Sequence, residues 1–193
     1  MGRIREEWVA VLSSPESQER ESGAIQIYGL GRSLVEQATR GWRENAEFAA
    51  LVGKDLDVTV GLAVRPRNFA RIREINGRPR LAEVPADQDA SEFELHFGAR
   101  VALDVLTPRN PQGSGPIAKF LSKFGEDIQQ VELRCNNVDR AAAILREKFN
   151  LTSVYPEARP GADGTRVNFF LVNAADGNKI LVELYEPGAI RLG

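Results

Sequence analysis

An order of elements that occurs twice constrains this chain more than any single motif. "LDVTVGLAV" (56–64) reads as a strand, "RPRNFARIREING" has helical spacing and closes on Asn76-Gly77, and "RLAEV", "SEFELHF" (91–97) and "ARVALDVL" (99–106) read as strands. A Pro- and Gly-rich linker, "TPRNPQGSGP", leads into a short helix, "IAKFLSKF". The order then returns: strand "IQQVELRC", helix "NNVDRAAAILREKFN", strand "LTSVY", loop "EARPGADGT", strand "RVNFFLV", turn "NAADGN" and strand "KILVELYE" (179–186). Strand, helix and three strands, twice over, predicts an α+β fold of two modules that bury a face together. Module one spans 55–108, the linker 109–124 and module two 125–187, within a domain of 55–193; residues 1–54 form a separate, mostly helical extension.

Side-chain parity divides the sheet into two unlike faces. Val58, Val60, Leu62 and Val64 share one face, with Thr59, Gly61 and Ala63 on the other. Phe93, Leu95 and Phe97 oppose Glu92, Glu94 and His96; Val131, Leu133 and Cys135 oppose Gln130, Glu132 and Arg134; Ile180, Val182 and Leu184 oppose Leu181, Glu183 and Tyr185. The apolar face predicts packing under helices. The polar face fits either solvent contact or the lining of a cavity in a curved sheet.

In the extension, Ser33 and Glu36 have capping-box spacing and predict a helix start. Leu34, Val35, Ala38, Trp42, Ala46, Ala49 and Val52 then recur at helical period up to a stop at Gly53. That stripe must dock, on the repeat domain or on a second subunit, so a homodimer or a protein partner is an expectation for this segment. Upstream, "SSPESQERESG" reads as a loop, and "AIQIYGL" fits a short strand or a helical turn.

Charge balance narrows the partners. Lys and Arg number 25 against 27 Asp and Glu, so no basic excess points to nucleic acid or an anionic membrane. Six arginines bunch in 65–80, either as a solvated helix face and turn or as a phosphate-binding patch. "YGLGRS" carries too little of a phosphate-loop fingerprint to count. Cys135 is the single cysteine and falls on the apolar side, as a buried thiol rather than a nucleophile. One cysteine, no signal-like N-terminus and no membrane-length apolar run predict a cytoplasmic protein.

The stretches "DVTVGLAV", "ALDVLTPRNPQGSGPIAKFLSKFGEDIQQVEL", "RPGADGTRVNFF" and "ILVELYEP" resemble the vicinal oxygen chelate (glyoxalase/bleomycin-resistance) superfamily, and within it the methylmalonyl-CoA epimerases. The resemblance spans roughly residues 56–187 and implies paired βαβββ modules curled around a metal site. Its four ligand positions fall on Thr59, Asp104, Gln130 and Glu183, with both histidines of the family pattern replaced. The family's divalent metal polarises a thioester carbonyl; neutral Thr and Gln are weaker ligands than imidazole, so tight transition-metal binding is not expected. The resemblance also implies an acid/base pair, which falls on Glu94 and Glu183. His96, the single histidine, lies on the strand face of Glu94, and Arg166 and Asn168 are expected to face the cavity together as ligand-binding residues. Two functions follow: an epimerase or isomerase of a small acyl group, such as a CoA thioester, with a degenerate metal site; or a non-catalytic descendant that binds a small molecule or a protein.

Overall fold

The computed structural model describes residues 6–173 and 179–188; the predicted "NAADGN" turn lies largely outside them. Seven strands form one sheet in the order β2-β3-β1-β4-β7-β6-β5. They are β1 (Val58–Ala63), β2 (Ala90–Phe97), β3 (Val101–Pro108), β4 (Asp127–Arg134), β5 (Arg159–Pro160), β6 (Arg166–Asn173) and β7 (Lys179–Glu186). In each module the first strand pairs in parallel with the last, β1 with β3 and β4 with β7. The modules meet where β1 and β4 run antiparallel, so the repeat read from the sequence becomes a continuous, curved half-barrel. The helices α1 (Glu6–Val11), α2 (Ser17–Thr39), α3 (Ala46–Val52), α4 (Pro66–Ile75), α5 (Pro116–Phe124) and α6 (Val138–Phe149) complete the fold.

Local chemistry explains most boundaries. Asn137 caps α6 by accepting from the Arg140 N–H, and Asn45 caps α3 by accepting from Phe48 N–H. Pro66 and Pro116 open α4 and α5, at a position where a missing N–H costs nothing. The predicted strand "RLAEV" joins no ladder; Ala82 N–H donates to Glu92 O beside β2, and the segment is otherwise irregular. "LTSVY" makes only the bridge Ser153–Phe170, and the short strand β5 falls instead in the predicted loop. Each of these edge segments is more polar or Pro-interrupted than the central strands, so alternation overstated its pairing.

The extension departs most from the sequence-based expectation. Ser33 does not start a helix: α2 runs through it for 23 residues, from Ser17 to Thr39. Ser33 is exposed and accepts from the Gln37 side chain, while Glu36 pairs with Arg32. Of the polar stretch before it, 13–16 is irregular, as expected, and the part from Ser17 is the first turns of the same helix. Its buried face is Gly23, Ala24, Ile27, Tyr28, Gly31, Val35 and Thr39, a stripe that begins ten residues earlier than Ser33. The predicted single helix through Val52 breaks after Thr39 into a 3-10 turn at Trp42–Glu44 and the capped helix α3; Ala46, placed on the stripe, is exposed.

This helix lies directly against the centre of the sheet. A Cβ on Gly31 would sit 2.6 Å from a methyl of Val60 on β1, so the approach requires glycine there. Ile27, Val35, Trp42, Phe48 and Val52 belong to one continuous core with Val60, Leu103, Val131 and Val182. Trp42 meets Phe48 edge-to-face at 5.8 Å. The apolar stripe is therefore spent on the chain's own sheet. No helix among the described residues is long and apolar enough to cross a membrane.

Candidate active site

Both faces of β1 are buried, the first indication that the polar side of the sheet is enclosed. A cavity of about 280 Å³ lies on that side. Its floor comes from β2, β3, β4, β6 and β7, and α5 contributes Pro116 and Ile117 to one wall. Along another wall the loops preceding β2 and β6 cross-link the modules. Arg80 holds Asp163 at 2.6 Å, Arg159 pairs with Asp87, and Gln88 Nε2 donates to Pro160 O at 3.1 Å.

A bulge sets the floor. β4 pairs Gln130 with Gly61 but Ile128 with Leu62, leaving Gln129 as the extra residue, and both glutamines line the cavity. The side chain of Gln130 crosses over Gly61, where an added Cβ would meet Gln130 Cγ at 2.5 Å. Its amide donates to Glu183 Oε2 at 2.7 Å and to Glu132 Oε1 at 3.1 Å. Glu132 and Glu183 are direct neighbours on β4 and β7, as are Glu94 and Asp104 on β2 and β3. Like charges in such positions destabilise a sheet, so their presence is a mark of function rather than of stability.

Burial keeps these carboxyls from ionising readily. Glu92 is pushed up to about 7, by desolvation first and then by Asp163 and Glu94. Glu132 is pushed up to about 8, by desolvation first, although the Gln130 amide acts against the rise. Asp104 and Glu183 are also raised, by desolvation and the surrounding carboxylates. Asp104 is only 6 % exposed, and its Oδ1 has no hydrogen-bond partner. Burial also raises the Tyr185 hydroxyl, so this cavity-lining phenol stays protonated.

Of the residues singled out in the sequence, Asp104, Gln130, Glu183 and Glu94 reach the one cavity. Glu94 sits at its rim with a side chain 57 % exposed, bound to His96 Nε2 at 2.9 Å; His96 points to solvent rather than lining the cavity. Thr59 is buried on the same face, level with Glu132, but is not part of the cavity wall. Arg166 and Asn168 do not face the cavity. They share a face of β6 with Phe170 and Val172 of the core, and Arg166 binds Asp139 of α6 at 2.7 Å; Val167 and Phe169 are the residues that turn inward. Cys135 is buried, its thiol pushed up to about 12 by desolvation. Glu92, Glu132 and Tyr185 were the residues missed; parity had placed all three on the polar face.

The donor set does not fit the metal that the family resemblance implies. Gln130 directs its amide N–H groups, not its oxygen, at the carboxylates, and so occupies the centre between them. Among the described residues no three His, Cys, Asp or Glu converge as metal ligands. Protein purified without added metal is expected to hold well under one equivalent of Zn, Co, Ni or Mn by elemental analysis, and Thr59→His with Gln130→His to raise that content. A stoichiometric transition metal in the unaltered protein would show that imidazole is not needed here.

No protein-family model matches the chain, and no curated protein matches it either. Solved structures do. The methylmalonyl-CoA epimerase of Mycobacterium tuberculosis is 32 % identical with a TM-score of 0.56, over 72 % of this chain and 91 % of that one. A Streptomyces coelicolor methylmalonyl-CoA epimerase variant in complex with 2-nitronate-propionyl-CoA is 23 % identical, with a TM-score of 0.53 over 68 % of this chain and 96 % of that one. A hypothetical protein from Bacillus halodurans is 24 % identical, with a TM-score of 0.57 over 72 % and 98 %. The last two share the fold, and the first adds sequence likeness across most of its length. The chain belongs to the vicinal oxygen chelate superfamily, among the methylmalonyl-CoA epimerases and their relatives.

Proposed function

We propose that the protein moves a proton at the carbon next to the carbonyl of a small acyl thioester, as an epimerase-type enzyme that does not rely on a transition metal. The observation that carries this reading is the enclosure of Glu92, Glu132 and Glu183 in one cavity; desolvation raises such carboxyls, and a general acid or base works best with a pKa near the working pH. Glu183 takes the α-proton, oriented by the Gln130 amide. Tyr185, two residues along the same strand face, donates its O–H to the carbonyl oxygen, where charge develops as the proton leaves. Glu92 returns the proton from β2, four strands away along the curved sheet. Glu94, the partner implied by the family resemblance, takes the place of a rim residue. Similarity to epimerases solved with CoA thioesters supports the thioester as substrate class.

The test is exchange of the α-proton of acyl thioesters with solvent deuterium. Glu183→Gln and Glu92→Gln are each expected to slow it by at least ~10²-fold with the melting temperature retained, while Glu94→Gln keeps most of the rate. The placement of Gln130 where the family carries a metal ligand favours one competing reading, a binding protein that has lost catalysis. Absence of glutamate-dependent exchange with every thioester tried would establish that reading instead.

A further inference from the structure

Among the described residues, seven acidic residues and one basic residue, Arg159, line the cavity. Arg159 is bound to Asp87, its guanidinium lies 4.6 Å over the Tyr155 ring, and its buried Nε has no hydrogen-bond partner. Among the described residues, no Lys or Arg hydrogen-bonds Glu92, Asp104, Glu132 or Glu183. Asp104 adds an independent sign of a missing partner: it is more than nine-tenths buried, lines the cavity, and has an oxygen bonded to nothing. Gly61 pairs with Asp104 on β3 and with Gln130 on β4, and the Gln130 side chain lies over it.

We propose that the cavity selects a small acyl compound carrying a positive charge, an ammonium or a guanidinium, and disfavours one carrying a carboxylate. A cation seated among the carboxyls stabilises their ionised forms and gives Asp104 a partner, whereas a ligand carboxylate disfavours ionisation further in a desolvated site. An organic cation fits better than a bare ion. The space is about 280 Å³, and Leu106, Ile117, Val167, Leu181 and Phe169 give it apolar walls. No three acidic side chains converge as metal ligands among the described residues. The acyl part of the ligand rests on the proton-transfer reading; its charge does not.

The experiment compares three thioesters of N-acetylcysteamine that differ in one substituent: 3-amino-2-methylpropionyl, isobutyryl and methylmalonyl. Calorimetric titration of the full chain is expected to show the amino compound binding at least ten times more tightly than isobutyryl, with methylmalonyl weakest. Asp104→Asn and, separately, Glu132→Gln are expected to bring the ratio between the amino and isobutyryl compounds down toward one. Equal affinities, no binding of any of the three, preference for methylmalonyl, a ratio unmoved by both substitutions, or saturable binding of Mg²⁺ or Mn²⁺ alone at one equivalent each overturns the proposal. Deuterium exchange on the same compounds separates the two ideas. Charge preference without exchange removes the proton-transfer reading and keeps the ligand class, and exchange without charge preference does the reverse.

Discussion

A chain begun at Lys54 is expected not to fold. The sequence divides there, but the core does not. Leu12, Ile27, Val35 and Phe48 are fully buried in the same cluster as the central strands. Burying each of these side chains contributes roughly 1.5–3 kcal/mol, so the four together supply on the order of 10 kcal/mol. Domains of this size have a total stability of about 5–15 kcal/mol. Removing the segment also uncovers Val60, Leu103 and Val131, leaving a broad apolar face open to aggregation. The measurement is thermal unfolding of the shortened chain: no cooperative transition is expected. A graded version is Trp42→Ala, which removes the ring packed on Phe48 and should cost about 3–5 kcal/mol. A chain from Lys54 that melts sharply at the temperature of the intact protein would show that the helices are an appendage.

The second large effect is a loss of stability as pH rises through neutrality. Glu92 goes from the ordinary 4.5 to about 7 in the folded protein, and Glu132 to about 8. A raised carboxyl binds more protons folded than unfolded between those values. The stability these carboxyls contribute is therefore full below pH 4.5 and is lost as pH climbs through the folded pKa values. For Glu92 alone the shift corresponds to about 3 kcal/mol, and Asp104 and Glu183 act in the same direction. The four share one cavity, so their effects do not add. Carboxyls held below their ordinary range by arginines, such as Asp163 beside Arg80, oppose this only in more acidic solution. Urea unfolding at pH 5 and pH 8 should place the midpoint lower at pH 8, and Glu92→Gln should flatten the difference. A midpoint that rises with pH would contradict the assignment of these carboxyls to a desolvated floor.

Both expected results bear on the acidic floor of the cavity. Gln130 over Gly61 joins two carboxylates through an amide. That link carries no charge, so the floor keeps an acidity that a ligand can answer.

Element order and side-chain alternation were enough to specify the repeat, the central strands and the two unlike faces. β1, β4 and β7 follow from alternation because a shift of one residue would turn Val60, Val131 and Val182 out of the core. Alternation also placed Gln130 and Glu183 on the polar faces of their strands, since parity is a local property of an extended chain; Asp104 came from the family resemblance. What covers those faces depends on contacts between elements far apart in the chain. Ser33 and Glu36 carry a sound local signal for a helix start, yet α2 runs through them, because the face from Gly23 to Val35 gains more against the sheet than a cap gains at Ser33. Arg166 and Asn168 satisfied a motif, but the pairing of β6 with β7 turned them to the helix side. The acidity of Glu92 and Glu132 was likewise invisible in the sequence, where an acidic residue on a polar strand face looks solvated. Desolvation raises a pKa, and desolvation exists only once the half-barrel, α5 and the cross-linked loops enclose the floor.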